Sequence, residues 1–132
     1  MLDAEPEIVE ELKAANQRFY DAFNELSLER MDDIWEDSER VMCVHPGWPP
    51  LVGWQPVRDS WQRIFENANM MQFNIRYLNV VVHGDFGYVT CREGITSVVQ
   101  GKATSFSTYA TNIFAHSETG WLMVAHHASP GS

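Results

Sequence analysis

The feature that most constrains the fold is a change of hydrophobic period part-way along the chain. Up to about Ala68 the apolar residues recur at steps of three and four, which gathers them on one side of a helix; from Gln72 they alternate, as in a strand. Ile8, Leu12, Ala15, Phe19, Ala22, Phe23 and Leu26 form the first stripe and predict a helix from about Glu5 to Leu26. Asp3 or Ala4 leads into it, Pro6 suits its first turn, and Glu5 and Glu7 lie where the helix dipole favours anions. Ser27 is a candidate N-cap for a short helix from Leu28 to Glu36. Arg40–His45 reads as a short strand stopped by Pro46-Gly47, and the following Trp48–Trp54 holds too much Pro and Gly for regular structure. Pro56 then starts a third helix, with Val57, Trp61, Ile64, Phe65 and Ala68 on one face.

Beyond Gln72, Phe73, Ile75 and Tyr77 share one face while Leu78, Val80 and Val82 fall in the opposite phase. This predicts either a bulge near Leu78-Asn79 or burial of both faces. Turns at Gly84–Gly87, Gln100–Lys102 and Glu118–Gly120 separate three further strands, Tyr88–Val99, Thr104–His116 and Trp121–Ala128. The order is ααβαββββ, an α+β chain forming a single domain over residues 1–132, with a curved, mostly antiparallel sheet wrapped over three helices of the N-terminal half. A bent sheet over helices leaves a hollow between them.

Charge narrows the function classes. The 132 residues carry 18 acids and 9 bases, a net charge of −9. Residues 1–40 hold 13 acids and 4 bases (4 − 13 = −9) and residues 41–132 hold 5 of each, so the whole excess belongs to the first helices and reads as a solvated acidic face. That is the wrong sign for neutralising phosphates or anionic lipid, so no nucleic-acid or membrane partner is expected. Cys43 and Cys91 lie in apolar stretches outside any Cys-x-x-Cys spacing and are expected to be reduced core thiols. With no apolar run of membrane length, a cytoplasmic location is expected. The absence of HxH, HExxH, GxGxxG, Walker and GxSxG patterns leads us to expect no metal and no cofactor.

Three phrases carry a resemblance: FYDAFNELSLERMDDIW, then VMCVHPGWPPLVGWQPVRDSW, then the ending TNIFAHSETGWLMVAHHASP. In this order and spacing they resemble the SnoaL-like branch of the nuclear transport factor 2-like (cystatin-like cone) superfamily, over about Ile8 to Pro130. The ending is also similar to the association domain of calcium/calmodulin-dependent kinase. The resemblance implies a cone with a pocket between sheet and helices, and frequently a homodimer through the exposed sheet face. Members include ketosteroid isomerase, scytalone dehydratase, limonene epoxide hydrolase, polyketide cyclases and non-enzymatic binding or assembly domains, so the fold does not choose a reaction.

An isomerase, cyclase or dehydratase needs a base in an apolar pocket and a donor for the developing oxyanion. His45, at the end of the first strand, is a candidate acid/base at the mouth, or else a structural cap. His126 and His127 are adjacent on the last strand, so only one enters the cavity, and the residues flanking them do not decide which. Arg92 and Glu93 also point to opposite faces, so one of them should face the pocket; surface or interface charges are the favoured reading of the pair, and Arg92 is kept as a candidate ligand-binding residue for an anionic group. The usual carboxylate base of a ketosteroid isomerase is not visible. Asn112, on an apolar strand face, needs a hydrogen-bond partner and is read as a polar pocket group or as part of a network with a neighbouring strand, the kinase resemblance favouring the pocket. Tyr20 and Tyr109 are candidate oxygen-holding donors. Trp48 and Trp54 are read as a loop lid, while Trp35 and Trp61 line the floor, Trp61 mainly as core. The reading that follows is a cavity for a small, mostly apolar organic ligand; the alternatives are an acid–base enzyme and an assembly domain.

Overall fold

A computed structural model describes residues 5–131. The lead-in at Asp3 or Ala4 lies outside them. Three helices, α1 (Pro6–Asn24), α2 (Leu28–Ile34) and α3 (Trp54–Asn67), pack on the concave side of one six-stranded sheet. Its strands are β1 (Met42–Val44), β2 (Leu51–Val52), β3 (Met70–His83), β4 (Phe86–Val99), β5 (Lys102–Ser117) and β6 (Gly120–Pro130), in the spatial order β2-β1-β6-β5-β4-β3. The expected cone is the observed fold.

Local chemistry explains the element ends. Pro6 occupies the opening turn of α1, where its missing N–H is no loss. Ser27 caps α2 by accepting a hydrogen bond from the Arg30 N–H at 3.1 Å. The segment between β1 and α3 departs from expectation twice. Leu51 and Val52 form a short strand paired antiparallel with β1, and α3 begins at Trp54, before Pro56. Gly53, at φ +91°, makes the reversal between them, a conformation that L side chains rarely adopt.

The meander β3–β6 is antiparallel throughout, while β1 joins its far edge in parallel with β6, pairing Cys43 with His126. The predicted bulge is present: the β3–β4 register slips between Tyr77 and Asn79, leaving Leu78 exposed. A second slip, between Ile113 and Phe114 on β5, leaves Val124 of β6 without a partner. Trp121 and Met123 face the core before this point, and His126 and Ala128 face it afterwards. Bulges bend sheets, and these two help close the cone over α1. The core is aromatic: Phe19, Phe23, Trp61, Phe65 and Phe73 meet edge-on or tilted, with centroids 4.1–5.9 Å apart.

Candidate functional site

A cavity of about 250 Å3 opens between α3, the β1 end and the concave face of the sheet. Its apolar wall is Phe23, Ile64, Met71, Phe73, Ile95 and Ala128; Pro46, Trp48 and Phe106 also line it, and its polar groups are His45, Glu93 and His126. The volume lies just below the usual range for ligand sites.

Strand register places the polar groups. His126 sits directly across from Asn112, and its Nδ1 lies 2.6 Å from Asn112 Oδ1. Asn112 Nδ2 donates to Asn16 Oδ1 at 2.8 Å and to the Tyr20 hydroxyl at 3.1 Å, so the amide oxygen is left as acceptor. His126 therefore carries its proton on Nδ1, and Nε2, with no hydrogen-bond partner among the described residues, keeps its lone pair. Burial and the neighbouring imidazoles push the His126 pKa down to about 3. The ring is a neutral base with one usable nitrogen.

Glu93 is 1% exposed and faces Thr108, its cross-strand neighbour on β5. Thr108 Oγ1 donates to one carboxyl oxygen, and the Tyr20 hydroxyl donates to the other at 2.5 Å. Both bonds favour the carboxylate, yet burial outweighs them and the Glu93 pKa is raised. The same burial, with Glu93 alongside, lifts the Tyr20 phenol well above its usual value, so Tyr20 remains a donor. One cavity thus holds a carboxyl biased towards its acid form and an imidazole biased towards its base form. Burial of this kind keeps a proton on the carboxyl and a lone pair on the imidazole at the cost of the strength of each as acid and base.

His45 plays a different part. The Ser60 hydroxyl donates to the Val57 carbonyl at 2.6 Å, so its oxygen accepts from His45 Nε2–H at 2.9 Å. This ties the end of β1 to α3. Burial pushes the His45 pKa down to about 4, and the ring stands edge-on to Trp61 at 4.7 Å and to Trp48 at 4.9 Å.

The remaining candidates divide. Trp48, half-buried at the cavity mouth, holds the place expected of a lid residue. Trp54 does not: it begins α3 and stacks on Trp35 at 5.7 Å, both rings buried in the core. Trp61 is fully buried behind His45, and Tyr20 and Asn112 lie beneath the cavity as the network that orients Glu93 and His126. His127, Arg92 and Tyr109 are on the convex face, outside the cavity. Thr111 pairs with His127, and Arg92 stands between Arg76 and Tyr109 in one cross-strand row. Glu93, favoured from sequence as a surface charge, is the inward residue instead. Asn16 was missed as well, although it falls inside the α1 stripe four residues from both Leu12 and Tyr20, and a polar side chain there has to be bonded.

The SnoaL-like domain model matches residues 12–131. The chain belongs to the SnoaL-like family. Among solved structures, this SnoaL-like chain superposes on a Streptomyces avermitilis protein of the nuclear transport factor 2-like family, provisionally assigned as a dehydratase, with a TM-score of 0.90 and 33% identity. That match covers 97% of this chain and 99% of the other. A Thiobacillus denitrificans protein provisionally assigned as a calcium/calmodulin-dependent protein kinase type II association domain matches at 30% identity and a TM-score of 0.81, covering 91% and 94%. F-box protein SKIP8 of Arabidopsis thaliana is 26% identical over 116 residues, 88% of this chain, which spans 48% of that protein's length.

Proposed function

We propose that the cavity binds a small, mostly apolar organic molecule and carries out the acid–base chemistry of dehydration or isomerisation on it. The observation that carries this reading is the His126–Asn112 hydrogen bond, which leaves His126 Nε2 as the only free nitrogen of a neutral ring that lines the cavity. In this scheme Nε2 takes a proton from a carbon next to a carbonyl, and Glu93 supplies one to the oxygen that develops negative charge. Burial favours the uncharged form of both groups. The similarity to the Streptomyces avermitilis protein supports the reaction class.

The test uses a small cyclic ketone, 2-tetralone, in D2O, with exchange of its α-hydrogens followed by NMR. Wild type is expected to speed exchange relative to His126→Gln. Equal rates with both proteins overturn the catalytic reading, and binding without exchange reduces the site to a ligand-holding pocket.

A specific observation favours a second role for the convex face. Leu78, Tyr88 and Tyr109 are exposed on the outer strand rows, and the association-domain similarity points the same way. We propose a homodimer through this face; sedimentation at micromolar concentration should show twice the chain mass, and a single-chain mass overturns it.

A further inference from the structure

The cavity does not end at Trp48. A second hollow of about 270 Å3 shares Trp48, Ile64 and Met71 with it and continues outwards past Arg63 and Asn67. Arg63 places its guanidinium over the Trp48 ring, 5.8 Å from the centroid. It projects from α3 with Asp59 and Glu66 one turn to either side, yet neither takes it. Gln55 donates to Asp59 at 2.8 Å, Gln62 donates to Glu66 at 3.1 Å, and among the described residues Arg63 makes no ion pair. Arg58, Arg30 and Arg40, by contrast, are each paired with a carboxylate. No acidic side chain lines the outer hollow. Among the described residues Arg63 is thus the one charged side chain that lines the outer hollow.

The inner cavity offers an anion nothing. Among the described residues no lysine or arginine lines it, burial disfavours charging its two imidazoles, and the Glu93 carboxyl is beside them, so a negative charge placed there stays uncompensated and costly. A ligand that carries a negative charge must leave it at the entrance. A guanidinium resting on an indole face keeps its N–H edge free, and that edge suits the two oxygens of a carboxylate.

Resting on the proposed function, we infer that the substrate is an organic carboxylate, with its neutral, reacting carbon at His126 and Glu93 and its carboxylate on Arg63 at the entrance, separated by an apolar span along Trp48, Ile64 and Met71. Arg63 is on this inference the residue that selects acids over neutral analogues, and Trp48 holds it in place.

Calorimetric titration with 4-phenylbutyrate and its neutral amide, 4-phenylbutyramide, tests this. Wild type is expected to bind the acid at least about fivefold more tightly, the range of a partly exposed charge-assisted contact, with the advantage shrinking as salt is added. In Arg63→Gln the two compounds should bind alike. Equal binding of acid and amide by wild type, or an acid preference that survives Arg63→Gln, overturns the carboxylate inference and leaves the cavity reading standing. Failure of both compounds to bind wild type overturns both.

Discussion

The Asn112 amide, donating to Asn16 and Tyr20, turns its oxygen to His126 and so sets which imidazole nitrogen faces the cavity. Asn112 is polar in an apolar strand face, and that cost alone requires a bonded side chain; the bonds run to Asn16, Tyr20 and the neighbouring strand's His126, beneath the cavity. His126 and His127 could not be ordered, because the unpaired Val124 shifts the alternation between Met123 and His126, and such a slip leaves no mark in composition. Glu93 was misread because a charged residue on a strand is usually outside; its inward place depends on Thr108 and Tyr20, partners 15 and 73 residues away. Trp61 belongs to this scale too. It contacts Phe19, Phe23, Trp35, Phe65, His45 and His126, and Trp61→Ala should cost about 3–5 kcal/mol, read from the urea midpoint at unchanged slope.

At the scale of elements the sequence spoke more clearly. Periodicity, a capping serine and Gly-containing turns all act within a few residues, so helices and meander emerged close to their observed bounds. The two-residue β2 and the early start of α3 did not emerge, since β2 depends on β1 lying alongside and the start of α3 on the Ser38 and Val41 carbonyls that hold Trp54 and Gly53. Contact between elements yields a sharp prediction at Gly87, where β4 passes under α1. A Cβ added there would meet Leu12 Cδ2 at 2.7 Å and the Val81 carbonyl at 3.1 Å, and Leu12 is fully buried. Gly87→Ala should therefore lose about 1–3 kcal/mol. Combining it with Leu12→Val should cost less than the sum of the two single changes, which thermal melts of the three variants will reveal.

For the whole molecule, the buried imidazoles tie folding to pH. His45 and His126 fall from about 6.5 in the unfolded chain to about 4 and about 3 in the folded one. The unfolded state thus binds more protons across that window. Their contribution is complete above about pH 6.5 and is lost as pH falls towards 4 and 3. Glu93, raised by burial, works in the opposite sense: its contribution is full below its unfolded value and fades as pH rises through the raised folded one. Melting temperature should decline from pH 6.5 to 5, each histidine accounting for about 1.4 kcal/mol per pH unit. Replacing either by Gln should flatten the slope, and an unchanged slope would show that the rings are already charged.

The parallel pairing of β1 with β6 also sets an order of events. Cys43 finds His126 only after the last strand has formed, so the two histidines of the cavity come together by the longest loop closure in the sheet. A chain whose β6 has not yet left the ribosome has no His126 to place in its hollow. On the proposed function, acid–base chemistry in this cone waits for that last pairing.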